Sequence, residues 1–271
     1  MNAVTLVCFF TFLIHMMESL ALSMRLAGAR TRQVATSISF VNIAFLMARL
    51  SNMFQAPLLG TMVDQAVRTG AETALLAKFR LIILAAFGGN LLGALLTPSM
   101  AYIFVKAIYV FEREGSIPQL LREAWRPRNI WKTLSNLRPP SWSYFRGLSF
   151  KSIPHTFLYL NVLMVAIYAV GVLASLLAGA FLPDQRATAV QLSGIVNGVA
   201  TVLLSIMVDP TGAHITDQAV HGKRTLNEVW SMVFFMQIGR LLATLILAQL
   251  ILWPAARYIM AVTEWLGRLT G

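Results

Sequence analysis

Residues Thr156–Leu182 read TFLYLNVLMVAIYAVGVLASLLAGAFL, with no Asp, Glu, Lys or Arg among them. A hydrocarbon core of ~30 Å takes roughly 20 apolar residues in helical form, so this stretch is long enough to cross a bilayer. Five more stretches of the same kind surround it: Ala3–Ser23, Val34–Leu59, Phe79–Phe111, Ala187–Val208 and Val229–Ile259. None alternates apolar and polar residues as a membrane strand does, which excludes a β-barrel. The third and sixth are long for a simple crossing and contain Pro98 and Pro254, where a kink or a bend into the interface is expected. The predicted fold is an all-α polytopic membrane protein of about six spans.

Composition agrees. Of 271 residues, 57% are apolar and 12% charged, against roughly 25% charged in a soluble domain; a soluble enzyme or a disordered chain is excluded. Cys8 is the only cysteine, so no internal disulfide forms. The net charge of +11 would suggest nucleic acid in a soluble protein. Here it points to cytoplasmic loops beside anionic membrane lipids and to no nucleic-acid partner.

No Lys or Arg precedes Arg25, and His15 and Glu18 interrupt the first run, so it reads as a retained span and not a cleaved signal. The loops after spans one, three and five carry thirteen cations against six on the other side. The richer side is expected in the cytoplasm, placing both termini outside.

The chain also echoes itself. Asp64-Gln65-Ala66-Val67 recurs as Asp217-Gln218-Ala219-Val220, Ala35-Thr36 as Ala187-Thr188, and Pro98 with Tyr102-Ile103 as Pro254 with Tyr258-Ile259. Three spans per copy would invert the second copy in the membrane, the plan of many secondary transporters with sites at the midplane. Coincidence in an Ala/Val/Leu-rich chain is the alternative. The expected organisation is a three-helix repeat over 1–111, an interfacial segment over 112–152 and a second three-helix repeat over 153–271. The middle segment mixes cations with Trp125, Trp131, Trp142, Tyr144, Phe145 and Phe150, and is broken by Pro118, Pro127, Pro139 and Pro140. Leu120, Leu121 and Trp125, then Ile130, Leu134 and Leu137, recur at helical spacing, which reads as short basic amphipathic helices on the cytoplasmic face.

Charged groups within hydrocarbon cost about 2.5–3.5 kcal/mol each on insertion scales, so each needs a reason. His15, Glu18 and Arg25 share one face, suited to coupling or ion pairing. Asn42, Arg49 and Asn52 fall within ~80° around span two, and a break is expected at Gln55-Ala56-Pro57. Arg49 lies too deep to snorkel; it pairs with Glu18 or Asp64, or it faces an anion. Gln191, Gly194, Asn197, Thr201 and Ser205 form a stripe on span five, and Gln237, Arg240 and Thr244 share a face of span six. Gly88, Gly89 and Gly93, with Asn90, suit close helix contact. Arg49 and Arg240 are the candidate anion-binding groups of a polar path. A static ion-paired role is the competing reading. Asp209-Pro210 ends span five, and Asp217, repeating Asp64, suits a capping role at matching bends. No metal-ligand spacing, nucleophile elbow or phosphate loop is present, so neither an enzyme nor a bound cofactor is expected.

Several of these residues carry a family likeness. His15-Met-Met-Glu18 through Arg25 to Gly28, Arg49-Leu-Ser-Asn52-Met-Phe-Gln55-Ala-Pro57 through Gly60 with Asp64, and Val208-Asp209-Pro210 with Ile215-Thr216-Asp217 resemble the Amj family of bacteria, the alternate lipid II flippases. The resemblance implies a cytoplasmic-membrane protein that moves undecaprenyl-pyrophosphate-linked peptidoglycan precursor (lipid II) from the inner to the outer leaflet. It transfers no residue-level mechanism. On the residues alone, Arg49 and Arg240 suit phosphate oxygens, while Asn42, Asn52, Gln55, Asn197 and Gln237 suit sugar and peptide. His15, Glu18, Asp64, Asp209 and Asp217 are the coupling or ion-pair candidates. A small-solute or ion transporter of inverted-repeat type, and a membrane assembly subunit that transports nothing, are the alternatives. A homo-oligomer is compatible with the composition and not required by it.

Overall fold

The computed structural model describes residues 2–135, 137 and 142–270; Pro139 and Pro140, and the side chains of Leu121, Ile130 and Leu134, lie outside the described residues. The secondary structure described is helical. Helices α1 (Ala3–Thr31), α2 (Val34–Thr69) and α3 (Glu72–Glu114) form the first half. Short helices α4 (Ile117–Ala124) and α5 (Pro127–Ser135) follow, and α6 (His155–Phe181) opens the second half. A continuous rod is then built from α7 (Arg186–Leu203), a π-helical turn (Leu204–Val208) and α8 (Asp209–Val220). A second rod comprises α9 (Leu226–Leu242), a π-turn (Ala243–Leu247) and α10 (Ala248–Thr270). Six of these helices or rods are long and apolar enough to span a membrane. At ~1.5 Å per residue, the 43 residues of α3 reach about twice the ~30 Å hydrocarbon core.

Prolines break fewer helices than the sequence suggests. Pro57, Pro98 and Pro254 all sit inside continuous helix, so the expected break after Gln55 does not occur. Span five likewise runs through Asp209-Pro210 to Val220. The π-turn just before Pro210 widens the coil where the proline ring and its missing N–H would disturb an α-helical ladder. Asp64 and Asp217 therefore lie in helix interiors and cap nothing, which corrects the capping expectation. Strong caps stand elsewhere: Thr225 and Glu228 form a reciprocal capping box at the start of α9.

Within each half the first helix is central. Helix α1 packs between α2 and α3, and α6 packs between α7 and the α9–α10 rod. Helix α6 contributes Val165, Ala166, Val170, Leu173, Ala174 and Leu177 to the largest core cluster, where they join Val7, Leu59, Phe79 and Ile83 of the first half. The α1–α3 crossing is set by glycine. A Cβ on Gly89 would stand 2.2 Å from the Phe12 carbonyl oxygen, and one on Gly93 2.5 Å from Ser19. Lipid gives helices no hydrophobic reason to associate, so such close backbone approach supplies the packing energy. Large apolar side chains such as Leu81, Leu95, Ile195, Val199, Val202 and Ile206 remain on the outside, as a lipid-facing surface requires.

Two ends are distinct. One carries the chain termini with the α2–α3 and α6–α7 turns. The other carries the α1–α2 and α8–α9 turns and the 115–152 segment. The 142–152 part of that segment is pinned to the start of α9: Trp230 Nε1 donates to the Tyr144 carbonyl at 2.6 Å, the Ser149 amide to Ser231 at 3.1 Å and Arg224 to the Ser152 carbonyl at 2.9 Å. Helices α4 and α5 are strongly amphipathic, and Trp125, Trp131 and Trp142 are about three-quarters exposed.

Candidate functional site

The polar face of span six turns into the bundle. Arg240 on α9 donates through Nη2 to Glu18 Oε2 at 2.6 Å and through Nε to Asn90 Oδ1 at 3.0 Å. Gln237 lies one turn away. Its amide donates to the Ser19 carbonyl and to Thr97 Oγ1, and it accepts from Ser19 Oγ at 2.7 Å. Asn90 reaches Thr244, whose hydroxyl returns to the Arg240 carbonyl. Helices α1, α3 and α9 are thus tied by a buried network. Each polar group in it would be costly if unpaired. The sequence supplied Glu18, Gln237, Arg240 and Thr244; it missed Ser19, Asn90 and Thr97 as their partners. Asn90 inside a Gly-Gly-Asn run was the available signal, because glycine neighbours let a facing helix come within reach of its amide.

Arg240 therefore has Glu18 as its counter-ion, a partner the sequence offered to Arg49. His15 is buried beside the same carboxylate, Nδ1 3.8 Å from Glu18 Oε2, with no hydrogen-bond partner for Nδ1 among the described residues. Asp64, the other acid offered to Arg49, pairs with Arg186 at the start of α7. Arg25 pairs with Asp209 at 2.9 Å. Among the described residues, the ion-pair partner of Asp217 is His221, one turn on at the end of α8.

Arg49 stands apart. It is exposed on α2, as are Asn42 and Asn52, and it has no ion pair or hydrogen bond among the described residues. Gln55 lies on the opposite, buried stripe with Ala44, Ala48, Leu59 and Met62, and its Oε1 has no partner among the described residues. At 100° per residue, Arg49 and Asp64 lie ~60° apart around α2. Asp64 reaches α7, so Arg49 lies on the flank of α2 turned toward that helix. The flank of α7 that carries Arg186 also carries Gln191, Gly194, Asn197, Thr201 and Ser205. Gln191, Gly194, Thr201 and Ser205 are exposed, while the buried Asn197 Oδ1 packs where Gly171 of α6 leaves room and has no hydrogen-bond partner among the described residues. Helix α2 packs on α1, α3 and α6; α7 packs on α6 and the rods beside it, with little contact between α2 and α7. The two helices flank an open side of the bundle over α1 and α6, where Asn42, Arg49 and Asn52 stand among the exposed Leu46 and Met53. There Tyr168 of α6 shares a 2.6 Å hydrogen bond with Thr201.

Depth follows from two contacts. Phe54 stacks on Phe10 and α1 and α2 are antiparallel, so Arg49 lies beside His15. Asp209 meets Arg25 and α7–α8 runs parallel to α1, so Thr201 lies level with Met17 and Glu18. Arg49, Glu18 and Thr201 thus occupy one layer near the middle of the bundle. The Arg186–Asp64 pair bridges α2 and α7 at the terminal end, next to a shallow open depression lined by Pro183, Asp184, Arg186, Ala187, Val190 and Gln191. The Arg25–Asp209 pair bridges α1 and α8 toward the other end.

A family model described as Amj, Alternate to MurJ, matches residues 10–263. The chain belongs to the Amj family. It is 38% identical over 258 residues to the lipid II flippase Amj of Bacillus subtilis (strain 168), covering 94% of this chain and 95% of that protein. No solved structure matches it. The matched region of this Amj-family chain contains the buried network with its Arg240–Glu18 pair, the Arg25–Asp209 and Arg186–Asp64 pairs, and Arg49.

Proposed function

We propose that this chain is a lipid II flippase, carrying the undecaprenyl-pyrophosphate-linked peptidoglycan precursor from the inner to the outer leaflet of the bacterial cytoplasmic membrane. The observation that carries the reading, beside family membership, is Arg49: an exposed cation near mid-depth, with no ion pair or hydrogen bond among the described residues, on the open side between α2 and α7. A lipid-linked substrate needs that arrangement, because its head must cross among polar groups while its tail stays in hydrocarbon. Arg49 takes a phosphate oxygen. Asn42, Asn52 and the Asn197 stripe bond sugar and peptide. Gln55, Gln237 and Arg240, now buried, join the path when the halves move apart.

The 115–152 end lies in the cytoplasm, leaving both termini outside. Its cations and exposed tryptophans sit among anionic head groups and meet the precursor first. The halves act as inverted repeats that rock about α1 and α6. Supporting this, α1 and α6 are each central in their triplet, and seven residues separate Pro57 from Asp64 as they separate Pro210 from Asp217. The test is reconstitution of the purified chain in liposomes with labelled lipid-linked precursor. Head groups become accessible on the far leaflet only when the protein is present; no acceleration over protein-free liposomes overturns the reading.

A further inference from the structure

Arg240 is buried, but its guanidinium is incompletely used. Its hydrogen bonds run through Nε to Asn90 and through Nη2 to Glu18, one to each. Glu18 contacts it through Oε2 alone, the same oxygen that faces His15. An arginine fork favours two oxygens at once, so this one-oxygen contact is less than the guanidinium can make. Glu18 is also the more accessible partner: its side chain is 31% exposed against 10% for Arg240. The charged groups around the carboxylate are Arg240 and, when protonated, His15; Arg25, further along α1, is engaged by Asp209. The carboxylate therefore stands between the buried cation and the open side, in the layer that holds Arg49.

We infer that Glu18 is an internal counter-anion, which the pyrophosphate of the substrate displaces from Arg240 during transit; this rests on the flippase reading. Removing one partner of a buried ion pair without replacement costs several kcal/mol. A neutral sugar or peptide group cannot supply that replacement. A pyrophosphate can, because it offers two or more oxygens to the fork while another phosphate oxygen meets Arg49. Exchange of one anion for another makes Glu18 a specificity-determining residue. Lipids with neutral head groups leave the Glu18–Arg240 pair closed, and pyrophosphate lipids open it. The return of Glu18 to Arg240 then expels the phosphate and resets the site.

The experiment uses the full chain in detergent, with farnesyl pyrophosphate as the probe and farnesol as its neutral counterpart, alongside precursor movement in liposomes. Glu18→Gln keeps a hydrogen-bond acceptor for Arg240 but removes the competing charge. It is expected to bind farnesyl pyrophosphate about tenfold tighter than the wild type, the scale of one charge-assisted bond, while precursor movement slows because release is no longer driven. Asn90→Asp places a second carboxylate on Arg240 Nε and is expected to weaken pyrophosphate binding by a similar factor. It provides the opposite readout should Glu18→Gln not fold. Farnesol binding is expected to be the same in all three. Unchanged or weaker binding by Glu18→Gln, or unchanged binding by Asn90→Asp, with the wild type still moving precursor, overturns the counter-anion role alone. A wild type that neither binds farnesyl pyrophosphate nor moves precursor overturns the flippase reading with it.

Discussion

Arg25 and Asp209 stand 184 residues apart in the chain and meet at 2.9 Å, joining the loop-end half of α1 to the start of α8. Gly212 makes the contact fit, because a Cβ there would lie 2.5 Å from Arg25 Nη1. The Arg25 side chain is mostly buried, whereas Asp209 is half-exposed. Asp209→Asn is therefore expected to cost about 1–2 kcal/mol, chiefly by leaving Arg25 without its charge partner. Gly212→Ala should lower the melting temperature in detergent as well, by pushing the guanidinium off its position. Thermal unfolding of both variants checks this; an unchanged Gly212→Ala would show that the contact is not tight.

Arg49 has no ion pair or hydrogen bond among the described residues, so its removal should be structurally silent. Arg49→Ala is expected to express, insert and melt like the wild type while losing tenfold or more of precursor movement, with Arg49→Lys partly retained. Normal movement by Arg49→Ala in liposomes would remove this residue from the path.

Gly89→Ala tests the α1–α3 crossing. With the Phe12 carbonyl 2.2 Å from the added methyl, the helices must separate, at a cost of about 1–3 kcal/mol. The measurement is the detergent denaturation midpoint. Gly194→Ala, where nothing lies within 4 Å of the added methyl, serves as the control and is expected to change little.

The outer pair offers a test of motion. In a Cys8→Ser background, cysteines replacing Asp64 and Arg186 are to be joined by a short reducible crosslinker. Joining them is expected to stop precursor movement, and reduction to restore it. Full movement by the crosslinked protein would mean that α2 and α7 need not part at that end.

Orientation is checked on cells with the same cysteine-free background. Single cysteines in the 142–152 segment should resist a membrane-impermeant thiol reagent, and a cysteine in place of Gly70 or Asp184 should react. The reverse pattern would invert the proposed topology.

Membrane class and the number of candidate spans were legible in the sequence, because hydrocarbon demands long apolar helices and leaves little else to choose; the helices themselves run on past several of the expected span ends. The pattern failed where prolines and charges were concerned. Pro57 and Pro210 looked like breaks, yet helices continue through them, since backbone groups in lipid gain more from staying helical than from opening. Arg49 and Arg240 looked alike as intramembrane cations. Helical periodicity placed Gln237, Arg240 and Thr244 on one face but could not say that α1 and α3 would cover it.

The sequence alone thus determined which stretches are long and apolar enough to cross a membrane and which residues share a side of a helix, both properties of local spacing. Only the tertiary structure decided that Glu18 belongs to Arg240, that Asp64 belongs to Arg186, and that Arg49 is left over. The first depends on how α1, α3 and α9 meet, with glycine contacts setting the α1–α3 crossing, and the other two on where α2 and α7 come to lie, all between segments distant in the chain. Charge pairing acts over a few ångströms in three dimensions, and no one-dimensional periodicity records that distance.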